Sequence, residues 1–380
     1  MRLADKLKVG VIGAGRWANR AHLPGFTRSP LSEVVAICDM NRGLAEQRAK
    51  EYEIPDVYTD AREMIGRNDI DVIDVCTRGG PDDPDNHEKL VFTALEADKH
   101  VLCEKPVAHD YRNTWKAHRL AESKDLKTKV GFTFRYAPAM MYMMELIEGG
   151  FIGEPYIFNG FEQNSQFLSP EEPVTKRDLI PPTKKSDIKV SSLEGYGAPI
   201  IDLSLWFMGS HLTSVVGLLK NFVPFRTDYD GSRVRTNIDD GDIYIGEYEN
   251  GAMCSIQSSY VTVGNYPGLE ARAYGSQGAL ICRLVDEFGV RQTLHKATPD
   301  AVEFIPVEIP GRLFPPGHTP DEPWPSLFYC NLVHNFNQEI TSCGEENQGN
   351  FAQSAMVQEI INAVEKSHRE RRWVDLPLDR

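Results

Sequence analysis

The feature that most constrains the fold is the alternation of short apolar runs with longer helix-like stretches over residues 1–129. The runs KLKVGVI, EVVAICD, DVIDVCT and HVLCEKP have the β-branched, apolar composition of buried strands. Strands that alternate with helices form parallel sheets covered by helices on both faces. We therefore predict an α/β fold whose first domain, residues 1–129, is a doubly wound parallel sheet.

The pattern changes after residue 129. The run GDIYIGEYENGAMCSIQSSYV alternates in polarity and contains the turn signal Glu249–Gly251, as in an antiparallel hairpin. We predict a second, α+β domain over residues 130–380 with a largely antiparallel open sheet. The stretch from Leu168 to Lys189 is rich in proline and charge and has no periodicity, so we predict an irregular wall or lid there.

A glycine-rich turn follows the first predicted strand. Gly13, Gly15 and Ala18 form G-x-G-x-x-A before a helix-forming stretch. In a dinucleotide-binding turn, the first glycine permits the tight bend, the second lets backbone approach a pyrophosphate, and the small third residue allows close helix packing. We predict such a site, with Arg16 and Trp17 as further candidate cofactor contacts. A plain glycine turn between a strand and a helix is the alternative.

The second strand ends at an acidic residue, Asp39, which lies 21 residues beyond Ala18, close to the roughly 20 expected for the carboxylate that binds the adenosine ribose. An acid there repels a 2′-phosphate, so the sequence favours NAD over NADP. Nearby Arg42 keeps NADP open, and a helix cap is the alternative role of Asp39.

Composition excludes several classes of protein. The net charge is −14, with 41 Lys and Arg against 55 Asp and Glu, which opposes extended contact with nucleic acid or an anionic membrane. The seven cysteines include no CxxC pair, so we expect buried free thiols and no metal. There is no signal-like segment and no apolar run of about eighteen residues. We therefore expect a cytoplasmic protein.

The chain resembles, nearly end to end, the glucose-fructose oxidoreductase / inositol dehydrogenase / MocA family of NAD(P)-dependent oxidoreductases. The resemblance is carried by the glycine turn, HVLCEKP, FRYAPAMMYMMELIEGGFIGEP, DLSLWFMG and YGSQGAL. It implies a Rossmann domain followed by an α/β domain whose open sheet often forms dimers or tetramers. It also implies hydride transfer between nicotinamide and a hydroxyl-bearing carbon of a sugar, cyclitol or glycoside. We expect NAD, a small polyol or sugar substrate, and a homodimer or homotetramer.

The resemblance places the chemistry at Glu104, Lys105 and Pro106, which match the family's E-K-P. Oxidation of a secondary alcohol needs a group that takes the hydroxyl proton while hydride leaves the carbon. Lys105 is the first catalytic candidate, and Glu104 is a candidate in the cofactor site. Pro106 restricts Lys105 to extended geometry, and the family often has a cis bond there. A surface Glu-Lys pair is the alternative.

Four other residues are candidate cofactor contacts. Thr77 ends a predicted strand at the carboxyl edge, where ligands gather in doubly wound sheets. Asn86 and His87 match the family's Asn-His pair, although they can equally cap the next helix. Arg135 in FRYAP is expected near the cofactor phosphates or the domain junction, or in a structural salt bridge.

One departure from the family lies in SSLEGYGAPIIDLSLWFMG, where family members usually have an Asp followed four residues later by a His. Depending on the alignment, Gly195 and Pro199 stand at these positions, or Asp202 is the Asp and Trp206 replaces the His. Either way the histidine is missing. Tyr196 is the candidate substitute in proton transfer, or it packs on the cofactor ring. Asp202 is a candidate acceptor for a substrate hydroxyl, or a helix N-terminal acid.

The leading functional hypothesis is an NAD-dependent sugar, cyclitol or glycoside dehydrogenase. A second is an oxidoreductase that keeps its NAD bound and recycles it between two sugars, or uses transient oxidation to assist glycoside cleavage. A third, motivated by the missing histidine, is a non-catalytic nucleotide-binding sensor or scaffold. The presence of Lys105 argues against the third.

Overall fold

The computed structural model describes residues 6–77, 86–171, 188–228, 230–263, 268–285, 291–301, 303–319, 322–342 and 348–379. The chain divides into two units. The first comprises residues 1–136, 315–318 and 322–356, and the second comprises 137–314, 319–321 and 357–380. Most of the predicted wall or lid, residues 172–187, lies outside the described residues.

The first unit is built on a parallel sheet. Its strands are β1 (Leu7–Ile12), β2 (Ser32–Cys38), β3 (Asp56–Tyr58), β4 (Val72–Val75), β5 (His100–Cys103) and β6 (Thr128–Val130). They lie in the order β3-β2-β1-β4-β5-β6, and every neighbouring pair is parallel. This is the doubly wound order with its switch point between β1 and β4, where ligands bind. The short strands β3 and β6 lie outside the four predicted runs.

Helices connect these strands. They are α1 (Leu23–Arg28), α2 (Arg42–Glu51), α3 (Ala61–Ile65), α4 (Asn86–Glu96) and α5 (Tyr111–Ser123). A wide, π-helical turn, Ala18–His22, leads into α1. The side chains of Asn41, Asp60 and Asp110 accept hydrogen bonds from the first turns of α2, α3 and α5, which satisfies backbone donors that the helices leave unpaired.

The second unit contains a larger, mixed sheet. Its strands are β7 (Pro155–Gln163), β8 (Leu212–Lys220), β9 (Phe225–Thr227), β10 (Arg233–Arg235), β11 (Gly241–Tyr248), β12 (Met253–Ser259), β13 (Gly268–Gly275), β14 (Ala279–Val285), β15 (Arg291–Ala297), β16 (Ile305–Val307) and β17 (Val374–Asp375). Nine form a sheet in the order β16-β15-β14-β13-β7-β12-β11-β8-β17, while β9 and β10 pair separately. Only β7 and β12 pair in parallel among the described strands of this sheet, and β11 and β12 form the predicted hairpin.

The two faces of this sheet differ. Helix α7 (Ala198–Met208) packs against β7, β12 and β13 of the sheet. Helix α6 comprises Pro138–Glu148. The strand register places apolar side chains together on one face, and five of them are 39–57% exposed: Ile157, Leu218, Ile243, Ile245 and Met253. An exposed apolar face of this kind is typical of an interaction surface.

Two late helices complete the fold, α8 (Trp324–Thr341) and α9 (Phe351–Glu370), the second of which is divided between the units at residue 356. The helix α8 belongs to the first unit, although the predicted division assigned all residues after 129 to the second domain. The helix buries Tyr329, Leu332, Val333 and Phe336 in the apolar core of this unit. A buried ion pair adds to this contact, with Lys129 Nζ 2.7 Å from Glu339 Oε2. None of the described helices is long and apolar enough to cross a bilayer.

We expect Lys129→Met to lower the free energy of unfolding by about 3–5 kcal/mol, because it removes the cation that compensates the buried Glu339 carboxylate. Both side chains are almost completely buried. The double variant Lys129→Met/Glu339→Leu should recover most of the loss, since it removes both charges. Urea denaturation of the three proteins measures this, and a single variant as stable as the parent would show that the pair does not hold α8.

Candidate active site

The glycine turn passes directly over the end of β4. Gly13 has φ +110°, and a Cβ atom added to it would lie 2.8 Å from the carbonyl oxygen of Cys76 and 3.0 Å from the amide nitrogen of Thr77. Only glycine fits there without displacing backbone. A Cβ atom on Gly15, in contrast, would meet no described atom within 4 Å. The turn therefore leaves open space in front of Gly15, where a phosphate can approach the backbone.

Asp39 braces this turn. Its Oδ2 accepts a hydrogen bond from the amide of Ala14 at 2.8 Å, and its Oδ1 accepts one from the amide of Asn41 at 2.8 Å. The cap of α2 is Asn41, so the alternative role of Asp39 as the helix cap is not supported. The carboxylate oxygens keep further lone pairs for ligand hydroxyls.

The ends of β4 and β5 are tied by His87 of α4. Its Nε2 lies 2.6 Å from the carbonyl oxygen of Thr77, and its Nδ1 lies 2.8 Å from that of Pro106. Asn86 is the first residue of the same helix. The Thr77 hydroxyl is buried and has no hydrogen-bond partner within the described part of the chain. A buried hydroxyl in this state is suited to a ligand at the sheet edge.

Glu104, the residue after β5, is buried and well bonded. Its Oε1 accepts hydrogen bonds from Trp17 Nε1 at 2.8 Å and from the Tyr329 hydroxyl, and its Oε2 lies 3.3 Å from the amide nitrogen of Lys105. Burial raises the pKa of Glu104, but the His22 hydrogen bond, the charges of His22 and Lys105, and the Tyr329 hydroxyl together lower it to about 2. Glu104 is therefore a carboxylate at neutral pH.

Lys105 is half-buried at the same sheet edge, and its peptide bond to Pro106 is cis. The cis bond agrees with the expectation drawn from the E-K-P motif. Glu104 and Lys105 are thus not the exposed pair that the alternative interpretation requires.

Two residues of this site do not follow from the sequence patterns. His22 Nδ1 lies 2.8 Å from Asp74 Oδ2, and His22 Nε2 lies 3.3 Å from Glu104 Oε1. All three residues are buried. The available signal was Asp74 itself, because an acid inside a fully buried strand needs a partner. Nothing in the local sequence identifies that partner as His22.

The remaining candidates fall in different places. Arg16 is exposed, whereas Trp17 packs its ring 5.7 Å from that of Trp324. Arg135 is buried in a short turn, Thr133–Tyr136, at the end of the first unit. Contact of these residues with a cofactor remains a prediction.

Tyr196 and Asp202 lie in the second unit. Tyr196 belongs to a π-helical turn, Leu193–Gly197, and its hydroxyl donates a hydrogen bond to Gln166 Oε1. Its ring centroid is 5.8 Å from that of Tyr260. Asp202 is buried on α7. Their roles toward a substrate remain predictions.

The first unit thus brings most of its candidates to one sheet edge. The turn contacts β4 through Gly13, His87 joins Thr77 to Pro106, and Trp17 joins the turn to Glu104. The open space at Gly15, the acceptor at Asp39 and the unpaired hydroxyl of Thr77 fit a dinucleotide. Residues 78–85, between Thr77 and Asn86, lie outside the described part of the chain.

The two glycines give a matched test. Gly13→Ala should destabilise the protein without cofactor by more than about 1 kcal/mol, because the new methyl group collides with the β4 backbone at a positive φ. Gly15→Ala should change stability by less than about 1 kcal/mol, yet weaken NAD binding, since its methyl group projects into the phosphate space. Thermal unfolding and NAD titration measure both. Unaltered NAD affinity in Gly15→Ala would place the phosphates elsewhere.

Comparison with known proteins agrees with this geometry. The model of an oxidoreductase family with an NAD-binding Rossmann fold matches residues 7–132, and that of the GFO/IDH/MocA C-terminal domain matches residues 140–281. A levoglucosan dehydrogenase from Pseudarthrobacter phenanthrenivorans is 23% identical over 98% of this chain and 99% of its own. An inositol 2-dehydrogenase/D-chiro-inositol 3-dehydrogenase from Lacticaseibacillus casei is 32% identical over 43% of this chain and 46% of its own.

Solved structures have the same fold. Levoglucosan dehydrogenase in complex with NADH and L-sorbose has a TM-score of 0.83 at 24% identity, covering 99% of this chain and 100% of that one. An oxidoreductase domain protein from Kribbella flavida has a TM-score of 0.84 at 24% identity, with the same coverage. The predicted fold class, oxidoreductase class and NAD cofactor are confirmed. The chain belongs to the GFO/IDH/MocA family of NAD-binding oxidoreductases.

Proposed function

We propose that this protein is an NAD-dependent dehydrogenase that oxidises a secondary hydroxyl of a sugar, a cyclitol or a glycoside, with Lys105 as the acceptor of the hydroxyl proton. The observation that carries the proposal is the position of Lys105. It follows β5 at the carboxyl edge of the sheet, beside an ionised Glu104 that is bonded to Trp17 of the glycine turn. The names of the levoglucosan and inositol dehydrogenase relatives support the substrate class.

Different residues of the first unit would bind different parts of NAD. The backbone at Gly13 and Gly15 would hold the pyrophosphate, Asp39 the adenosine ribose, and the Thr77 hydroxyl a polar group of the dinucleotide. Bound NAD supplies the acceptor for the hydride that leaves the carbinol carbon. The Lys105 amine takes the hydroxyl proton as the carbonyl forms. Glu104 would not accept this proton, because its pKa of about 2 makes the carboxylate a weak base.

The second unit would supply substrate recognition. Tyr196 offers a hydroxyl already bonded to Gln166 and an aromatic ring near that of Tyr260. Hydroxyl and amide groups bind sugar hydroxyls, and aromatic rings present apolar faces to sugar rings. Asp202 is the further acceptor that we propose for a substrate hydroxyl. Together, Tyr196 and Asp202 would bind the substrate in place of the missing histidine.

We also propose that the protein is a cytoplasmic homo-oligomer, a dimer or a tetramer. A second copy of the chain would cover the exposed apolar face around Leu218, Ile243 and Met253. The six described cysteines are buried free thiols, which is typical of a reducing compartment.

Replacement of Lys105 tests the proposed reaction. We expect Lys105→Met to reduce turnover at least about 100-fold, because the proton acceptor is lost, while NAD affinity stays within about twofold. Lys116→Met, on the exposed side of α5, is the matched control and should keep full activity. The assay follows NADH absorbance over a panel of sugars, cyclitols and glycosides. Turnover that survives in Lys105→Met would remove the lysine from the mechanism.

Asp39 tests the cofactor assignment. We expect Asp39→Ala to weaken NAD binding more than about tenfold, a loss of about 1.4 kcal/mol or more, because both the ribose acceptor and the brace at Ala14 are removed. Asp39→Asn keeps an acceptor for Ala14 but loses the charge, so it should narrow the preference for NAD over NADP. Titrations with NAD and with NADP measure the affinities of both variants. Affinities equal to those of the parent protein would contradict the assignment of Asp39 to the adenosine ribose.

A further inference from the structure

The histidine buried below the sheet edge has a defined protonation state. Its two ring nitrogens face Asp74 on β4 and Glu104 after β5, at 2.8 and 3.3 Å. An ionised carboxylate only accepts hydrogen bonds. Both contacts of His22 can therefore be hydrogen bonds only when each ring nitrogen carries a proton, as in the imidazolium ion.

The electrostatic surroundings favour this ion. Complete burial lowers the pKa of His22, but the carboxylates of Asp74 and Glu104 more than offset it and raise the pKa to about 9. Burial raises the pKa of Asp74, and the positive ring of His22 opposes that shift. The Tyr329 ring lies 4.3 Å from the His22 ring, and burial keeps the Tyr329 hydroxyl neutral by raising its pKa well above 10.

The same cluster is not built for a metal ion. His22, Asp74 and Cys76 each place a ligand atom within 4.8 Å of the others. However, both nitrogens of His22 already face carboxylates, and the Cys76 thiol lies 3.3 Å from the carbonyl oxygen of Gly13 as a hydrogen-bond donor. Burial also raises the pKa of Cys76 well above 9, which opposes the thiolate that metal binding needs.

The ion pair of His22 with Asp74 holds the Glu104 side chain in place. The Glu104 side chain packs directly against the Gly131 backbone, because a Cβ atom on Gly131 would lie only 2.5 Å from Glu104 Oε1 and 2.9 Å from the Tyr329 hydroxyl. Two further donors, Trp17 and Tyr329, reach the same carboxylate oxygen as His22. The next residue along the chain is Lys105, whose amide nitrogen lies 3.3 Å from the other oxygen. This carboxylate therefore contacts the amide group at which Lys105 begins.

We propose that His22 is a positioning residue for the reaction: as a buried imidazolium it fixes the Glu104 carboxylate, and through it the backbone that presents Lys105. This inference rests on the proposed role of Lys105 as proton acceptor. The pairing with Asp74 keeps the histidine charged, so the charge-assisted bond to Glu104 persists across the neutral pH range.

The first experiment determines the charge of the His22 ring without measuring enzyme activity. In protein labelled with 15N-histidine and free of cofactor, the two ring nitrogens of His22 should both give imidazolium signals at pH 7.5. They should titrate near pH 9, the value that the two carboxylates set. His22→Gln identifies the signals by their disappearance. A neutral ring at pH 7.5 would overturn the proposal, as would zinc bound at His22 in the purified protein.

The second experiment separates positioning from folding. His22→Gln alone removes the buried cation between Asp74 and Glu104, and we expect the variant to be destabilised. His22→Gln/Asp74→Asn keeps the net charge of the cluster at −1, because one cation and one anion are removed together. The double variant should regain most of the parental melting temperature. It should still show kcat at least about tenfold lower, with the KM for substrate and the Kd for NAD within about twofold.

A third variant moves Glu104 without touching any charge. Gly131→Ala pushes a methyl group against the carboxylate, so it should lower kcat while the His22 ring stays an imidazolium in the NMR spectrum.

If the double variant His22→Gln/Asp74→Asn recovers full kcat together with stability, His22 has a purely structural role and the proposal is overturned. If instead Lys105→Met keeps its turnover, the proposed function fails, whereas the NMR result for His22 stands independently.

Discussion

The hydrogen bonds to the buried Glu104 carboxylate are the interaction on which the rest of the first unit depends. It is buried and ionised, a state that costs several kcal/mol unless hydrogen bonds and opposite charges compensate for the lost hydration. The compensation comes from Trp17 of the glycine turn, from His22 shortly after it, and from Tyr329 of α8. These partners are 87, 82 and 225 residues away in the chain. The carboxylate is therefore stable only when the turn, the sheet edge and the late helix are all in place.

This dependence explains which parts of the fold can be predicted from the sequence. The strands β1, β2, β4 and β5 follow from local composition, and Gly13 follows from the motif, since each is a short-range signal. The return of α8 to the first unit is not local. It depends on pairs such as Lys129 with Glu339, 210 residues apart, and the apolar pattern of α8 indicates a helix without indicating what it packs against.

The same limit applies to the candidate site. The E-K-P motif identifies Glu104 and Lys105, but as neighbours in sequence rather than as a buried anion beside a half-buried amine. Asp74 reads as one residue of an apolar strand, and its partner His22 lies 52 residues away. Asp39 illustrates the reverse case, because its sequence position indicates a ribose acceptor while its brace on Ala14 is visible only in the structure. In the proposed function, one carboxylate thus couples cofactor recognition to the shape of the turn.

The missing histidine of the second unit can be understood in the same terms. A proton relay is needed when the group that accepts the proton is sealed from water. Lys105 is half-buried rather than fully buried, so in the proposed mechanism its ammonium can return the proton to solvent between turnovers. In the proposed mechanism, loss of the family's histidine removes one route for the proton, while Lys105, which would accept it first, belongs to the first unit.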